Sequence, residues 1–305
     1  MLLALDIGNT NVTAGVFDGE SLVASWRLAT DAHRMTDEYA LQLRDLLPMK
    51  GVLPSSVTEV AMCSVVPPLT GVFTDVAQTL FGVDPLIVSA GTKTGVRILY
   101  DNPRDVGADR VVDAAAACHL YGGPTIVVDF GTATVFDAIS TDGSYLGGAI
   151  APGLNVAAES LYLNTAQLRR IEMVAPATVI GKNTVHAMQS GFVYGYVGLV
   201  EAMVQRFKEE MEAPEATVVA TGGLAELIAK ETVAIQIVNQ ELTLRGLCLV
   251  HALNAVAPIR PASPEKIPPP RAIRSHNTST CVGSAPTSFG PNCSKAATTN
   301  PSLPL

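Results

Sequence analysis

The first thirty residues alternate between short apolar runs and polar turns. Leu2 to Ile7, Asn11 to Phe17 and Leu22 to Leu28 are stretches of strand length, separated by Gly8-Asn9 and Asp18-Gly19. This spacing predicts three strands joined by tight turns. Apolar positions at Leu41, Leu43, Leu46 and Leu47 predict a helix over Asp37 to Leu47. Val57 to Cys63 then reads as a buried strand, and Leu69 to Leu80 as a second helix. A further apolar strand, Thr125 to Asp129, runs through Gly131 into a β-rich stretch ending at Ile139 and a turn at Asp142-Gly143, repeating the order of the N-terminus. Shifting the numbering by 123 lays Asp6 on Asp129, Gly8 on Gly131 and Val12 on Val135. We read this as an internal duplication of a strand–turn–strand unit.

After the second unit the pattern predicts helices at Ala157 to Leu163 and Thr184 to Met211, a strand at Thr217 to Ala220 and a glycine turn at Gly222-Gly223. Helices over Leu224 to Lys230 and Leu242 to Ala255 complete it. Each half opens on strands and continues with alternating helices and strands, an α/β class. The pattern stops near Ala257. From there to Leu305 the chain carries ten of its 20 prolines, one acidic residue (Glu265) and five basic ones. A segment of that composition cannot bury enough surface to order itself, so a disordered tail is expected. The expected division is an N-terminal domain over 1–118, a second over 119–256 and a Pro-rich tail over 257–305.

Composition narrows the function. With 48% hydrophobic and 16% charged residues in a chain of 305, most of the sequence should fold. A formal net charge of −8 argues against a phosphate-backbone binder, so nucleic acid is not an expected partner. No stretch approaches the roughly 20 apolar residues that span a bilayer, and the N-terminus lacks the basic-then-apolar order of a signal peptide. A cytoplasmic protein with no membrane partner is expected. Its five cysteines and five histidines are scattered without paired ligand spacing, so no transition-metal site is assigned.

Three polar segments could carry chemistry. Asp6-Ile-Gly-Asn-Thr-Asn11 lies where a strand meets a hairpin turn. Gly8 lets backbone N–H groups approach an anion, Asn9, Thr10 and Asn11 add donors, and Asp6 can hold Mg²⁺ or its water shell. An Asx-capped hairpin explains the same residues without a ligand, and the Walker A string GxxxxGK[ST] is absent. The second copy, Asp129-Phe-Gly-Thr-Ala-Thr134, changes the weighing, because two such loops on duplicated domains can face each other across one cleft. This arrangement resembles the superfamily of actin, hexokinase and acetate kinase, in which ATP lies between two related domains. Ala220-Thr-Gly-Gly223 looks like that superfamily's adenosine-side glycine turn. The third segment, Asp101 to Arg110, runs into the apolar helix pattern Val111 to Cys118, with Gly107-Ala108-Asp109-Arg110 as its first turn. Asp109 there suits helix capping, or it suits the acceptance of a hydroxyl proton while Arg110 grips a carboxylate.

The strings DIGNTN (6–11), YDNPRDVGADR (100–110), DFGTAT (129–134), GGAIAPGL (147–154), GKNTVHAMQSG (181–191) and TGGLA (221–225) make the resemblance specific. In order and spacing, across about residues 1–256, the chain resembles the type III pantothenate kinases. The resemblance implies two duplicated actin-like (ribonuclease H-like) domains with a nucleotide cleft between them. It implies a kinase that moves the ATP γ-phosphate to pantothenate, giving 4′-phosphopantothenate at the start of coenzyme A synthesis. Asp6, Ile7, Gly8, Asn9, Thr10, Asn11, Val12, Thr13 and Thr132 would bind ATP, and Asp6 would hold Mg²⁺ directly or through water. Asp109 matches the general base, and Tyr100, Gly107, Ala108, Asp109, Arg110 and Thr184 match pantothenate-binding positions. Asp129 matches the ligand of a monovalent cation, K⁺ or NH₄⁺. In the family Thr184 reaches the site from a second subunit, so a homodimer is implied.

Two departures from the family pattern stand out: Val135 where another Thr is common, and Asp113 where Asn is usual. Two other readings compete. One is a different small-molecule kinase on the same scaffold, acting on a sugar or carboxylate; the other is a non-catalytic regulatory accessory factor.

Overall fold

The computed structural model describes residues 1–255, so the tail expected over 257–305 lies outside the described residues. The described residues form two five-stranded sheets. β1 (Leu2–Ile7), β2 (Asn11–Asp18) and β3 (Ser21–Ala29) make an antiparallel meander, as the turn spacing predicts. Helix α1 (Thr36–Met49) leads to β4 (Glu59–Ser64), which lies parallel to β1, and helix α2 (Pro67–Val76) leads to the short β5 (Leu86–Ile87). The order in the first sheet is β3-β2-β1-β4-β5.

Helix α3 (Ala108–Tyr121) leads from the first sheet to the second. Strands β6 (Thr125–Phe130), β7 (Ala133–Ile139) and β8 (Tyr145–Pro152) form the second meander. Helices α4 (Leu154–Leu163) and α5 (Thr184–Glu210) precede β9 (Thr217–Thr221), which lies parallel to β6. The chain closes with α6 (Ala225–Ala229), β10 (Ile237–Val238) and α7 (Leu242–Asn254). The order β8-β7-β6-β9-β10 repeats the first sheet strand for strand. This is the duplicated ribonuclease H-like arrangement.

Register refines the duplication. Asp6 pairs with Thr13 in the first hairpin, and Asp129 pairs with Val135 in the second. In the same way Ile7 faces Val12 and Phe130 faces Thr134. The second loop is therefore one residue shorter. The constant shift of 123 holds for β1 and β6 but slips across the turn, so Val12 corresponds to Thr134 and Thr13 to Val135.

Two side chains sets hold the halves together. On α3, Val112 and Ala115 join a core with Leu2, Ala4 and Cys63 of the first sheet. Val111, Ala114, Ala116 and Ala117 of the same helix join a core with Val127, Ile139 and Val219 of the second. The small residues let one helix lie against both sheets, because alanine fills little space between packed backbones. Helix α7 completes the arrangement: Leu244, Leu247 and Val250 pack in the first-sheet core beside α3. A Cβ on Gly246 would strike the Val112 carbonyl, so α7 approaches α3 as closely as backbone allows. The outer faces of the sheets are covered by α1 and α2 on one half and by α5 and α6 on the other. This packing fixes where the turns after β1 and β6 point.

Candidate active site

The turns after β1 and β6 meet. Thr10 Oγ1 lies 2.7 Å from Thr132 Oγ1, so the two duplicated loops touch through their hydroxyls. Each loop is pinned by its own backbone: the Gly8 N–H donates to Asn11 O at 3.0 Å and the Gly131 N–H to Ala133 O at 3.0 Å. The Thr30 hydroxyl donates to Gly8 O at 2.7 Å, anchoring the first loop to the residue that follows β3. Around the contact lies a cleft of about 350 Å³. Asp6, Gly8, Asn9, Thr10, Asn11, Thr13, Asp109, Asp129 and Thr132 all line it, so the structure brings these expected site residues together. Thr221, Gly222 and Gly223 form its far wall. Gly222 has φ +89°, and a Cβ there would run into Asp129 Oδ1 and the Phe130 backbone. Only glycine suits that turn.

Ile7 and Val12 are different: both side chains are fully buried in the first core, so they can offer a ligand only their backbone. Gly107, Ala108 and Asp109 occupy the start of α3, where the sequence places the first turn of that helix. A Cβ on Gly107 would sit 2.5 Å from Asp109 Oδ1, so the carboxylate rests against a bare backbone. Gly107 is the N-cap of α3, and Asp109, inside the first turn, accepts the otherwise free Arg110 N–H on Oδ1 at 2.8 Å while still lining the cleft.

Arg110 points the other way. Its Nε and Nη2 donate to Asp137 Oδ1 at 3.0 and 2.7 Å, and Tyr145 Oη donates to the same oxygen at 2.8 Å. The Tyr100 ring stands 6.3 Å from that of Tyr145, centroid to centroid. Thr184, in the first turn of α5, is exposed and lines a separate, mostly apolar depression of about 610 Å³ with Leu161, Met188 and Phe192. Exposed Leu161, Leu163, Val179 and Ile180 surround that region of the chain.

The cleft is an acidic one. Asp6, Asp109, Asp113 and Asp129 line it, and Arg27 is the one Lys, Arg or His residue among the described residues that does. Burial pushes Asp6 up to about 7, with the charge of Asp109 adding to it and the Cys63 thiol and Arg27 pulling back. Burial likewise lifts Asp129 to about 7, helped by Asp109, Asp6 and Asp137. Asp109 is raised by burial against the pull of the Arg110 amide and guanidinium. Asp113 is driven well above the carboxylate range, first by burial and then by the charge of Asp129. Its Oδ1 is buried without any hydrogen-bond partner.

Such a cluster suits bound cations, because a positive ion relieves both desolvation and mutual repulsion. Among the described residues no three His, Cys, Asp or Glu side chains group closely enough to cage an ion alone.

Sequence reasoning missed three residues here. Arg27 sits on β3 opposite Thr13, and strand alternation puts it on the polar face without hinting at a cleft. Asp137 lies in the otherwise apolar run from Val135 to Ile139, and a buried charge in such a run needs a partner. Tyr145 follows the Asp142-Gly143 turn and had no signal of its own.

A family model described as type III pantothenate kinase matches residues 2–206, more than half of the chain. A protein of Roseiflexus sp. (strain RS-1) named type III pantothenate kinase is 51% identical over 254 residues, covering 83% of this chain and 99% of that one. One of the same name from Myxococcus xanthus (strain DK1622) is 49% identical over 254 residues, with 83% and 99% coverage. Among solved structures, one described as a Baf family transcriptional activator from Campylobacter jejuni aligns with a TM-score of 0.52 at 19% identity, covering 83% of this chain and 98% of that one. At that identity it speaks for the fold alone.

Proposed function

The chain belongs to the type III pantothenate kinase family, and on that premise we propose that it transfers the γ-phosphoryl group of ATP to the primary hydroxyl of pantothenate. The observation that supports this most directly is the 2.7 Å contact between Thr10 and Thr132, which draws two glycine-bearing loops over Asp6, Asp109 and Asp129 in one cleft. Phosphoryl transfer leaves little covalent work for protein groups and depends on positioning and electrostatics. The cleft has what that chemistry uses: backbone donors, hydroxyls and carboxylates.

In this reading the loop from Asp6 to Thr13, with Thr132, binds the ATP phosphates, Ile7 and Val12 through backbone alone. Asp109 orients the pantothenate hydroxyl and accepts its proton; burial has raised it toward the basicity that task needs. Tyr100, Gly107, Ala108 and Arg110 bind the rest of pantothenate. Asp6 would hold Mg²⁺ and Asp129 a monovalent cation, K⁺ or NH₄⁺; bound there, the two would neutralise phosphate charge as it builds on the transferring group. The orphaned Asp113 oxygen and the scarcity of basic residues support a site that takes cations.

We also propose a cytoplasmic homodimer. The exposed apolar residues around Thr184 suit contact with a second copy, through which Thr184 would reach the partner's pantothenate. No helix among the described residues is long and apolar enough to cross a membrane. The division into domains at 1–118 and 119–256, with a tail over 257–305, is part of the same proposal.

The test is ATP-dependent phosphorylation of pantothenate with Mg²⁺, with and without K⁺ or NH₄⁺, beside Asp109→Asn. Turnover that needs the monovalent cation and collapses in the variant is expected. A folded wild-type protein that phosphorylates no pantothenate under any cation overturns the reading.

A further inference from the structure

Arg110 offers its guanidinium to Asp137 in an unusual way: two of its nitrogens and the Tyr145 hydroxyl all donate to the single oxygen Oδ1. Asp137 is nearly inaccessible, at 2% exposure, and lies on β7, the middle strand of the second meander. Tyr145 comes from β8, the neighbouring strand, and its ring also sits under the guanidinium at 5.8 Å. The space is closed from behind by Gly148, where a Cβ would stand 2.6 Å from Arg110 Nη2 and 2.7 Å from Asp137 Oδ1. Gly147 leaves similar room for the Tyr100 ring, 3.6 Å from where its Cβ would be. Arg110 is thus gripped from three sides by β7 and β8.

The grip has a chemical consequence. A guanidinium carries five N–H donors, one on Nε and two on each Nη, in a fixed plane. Asp137 takes the Nε–H and one Nη2–H. The side edge of the fork, Nε with Nη2, is therefore closed to substrate. What remains is the end edge, Nη1 with the second Nη2–H, and two parallel donors there still match a carboxylate. A free arginine could present either edge by rotating; this one cannot rotate without breaking bonds to a buried anion, which is costly.

We propose that Asp137 and Tyr145 are positioning residues for substrate binding: they lock Arg110 so that only its end edge meets the substrate carboxylate, next to Tyr100. This rests on the pantothenate kinase reading. It assigns the strands β7 and β8 a part in substrate selection, since the acceptor is chosen by where its carboxylate sits relative to its hydroxyl. Asp137 touches neither reacting atom and acts through Arg110.

The test uses Asp137→Asn, Asp137→Ala and Tyr145→Phe in the full-length protein, with pantothenate and with its alcohol analogue, which carries CH₂OH in place of the carboxylate. Asp137→Ala is expected to raise the KM for pantothenate about 10- to 100-fold while the KM for ATP stays within about threefold. Asp137→Asn, whose amide oxygen can still accept from Arg110, recovers part of the loss, and Tyr145→Phe loses about two- to fivefold. In all three the preference for pantothenate over the alcohol falls. A merely structural role would shift both KM values together or lower kcat alone; either result, or unchanged kinetics, overturns the proposal while leaving the wild-type activity in place. If Asp137→Ala does not fold, Asp137→Asn and Tyr145→Phe decide the matter by the same ratio. A wild type that does not phosphorylate pantothenate sinks both this inference and the functional reading.

Discussion

Asp6 is held in the folded chain at a cost that pH and one substitution can measure. Burial and the charge of Asp109 lift its pKa from 3.8 to about 7. The folded state therefore keeps the Asp6 proton more tightly than the unfolded chain does. The stability this confers is complete below 3.8 and is lost as pH rises toward 7. Between pH 5.5 and 7 the loss is about 1.5 pH units at 1.36 kcal/mol each, about 2 kcal/mol, and above 7 it levels off. Asn at this position cannot ionise, so Asp6→Asn escapes that loss. Its amide oxygen can still accept the Cys63 Sγ–H, which donates to Asp6 Oδ1 at 3.5 Å in wild type, so that weak bond survives the substitution. It also relieves Asp129, whose pKa the Asp6 charge helps to raise, which adds to the effect in the same direction. Urea unfolding at pH 5.5 and pH 8, at fixed protein concentration in EDTA without K⁺ or nucleotide, should show the variant gaining about 2 kcal/mol on wild type between the two. Added MgATP should reverse the order at pH 8, since only wild type keeps the carboxylate. A variant-minus-wild-type difference that is equal at both pH values, or that shrinks as pH rises, refutes the account of Asp6 as a strained, cation-ready carboxylate.

Other consequences can be tested independently. If Thr184 acts across a dimer, Asp109→Asn and Thr184→Ala proteins, each inactive alone, should regain activity when mixed and allowed to exchange subunits, because one site of each heterodimer is then intact; no recovery would place Thr184 in its own subunit's site. Arg27 is the one basic side chain among the described residues that lines the acidic cleft, so Arg27→Met should raise the KM for ATP about tenfold or more, with Arg27→Lys intermediate and the KM for pantothenate little changed. Unaltered ATP kinetics would mean the triphosphate lies away from β3. Gly222→Ala forces a Cβ into Asp129 and Phe130 at φ +89°, and should lower stability by about 2 kcal/mol or more in urea unfolding; an unchanged midpoint would contradict the tight turn.

Most of the frame was legible because strand and turn periodicity are local. Leu2–Ile7 and Thr125–Phe130 announce themselves by composition, and the helices α1, α3, α5 and α7 by apolar spacing. The short edge strands Leu86–Ile87 and Ile237–Val238 carry no such signal, since two residues show no period and their strand state comes only from pairing to β4 and β9. Helix α4 begins at Leu154, earlier than the spacing from Ala157 suggests, because the turn at Gly153 is fixed by its N–H bond to Thr132 O. The cleft loops were readable as a pair, but their contact through Thr10 and Thr132 is a tertiary fact. Asp137 and Tyr145 were unreadable for the same reason: their meaning lies in Arg110, which is 27 residues from Asp137 in the chain.

The slip of one residue between the two hairpins shows how a duplicated frame acquires unlike halves. A hairpin loop can shorten without disturbing its strands only if the register moves with it, and a one-residue move brings a different side chain to each place on the sheet. Here the move sets Val135 where the first half has Thr13, and both line the cleft. It also sets Thr134 where the first half buries Val12, and the Thr134 hydroxyl is left buried with no partner. The first loop thus presents a hydroxyl beside Asp6, and the second a methyl-bearing wall beside Asp129. Restoring a hydroxyl with Val135→Thr would give the two loops matching chemistry at that height, and any gain should fall on ATP binding, because Val135 faces the cleft and not the Arg110 side. If ATP affinity is unmoved and pantothenate affinity changes instead, the two ligands divide the cleft differently from the arrangement derived above.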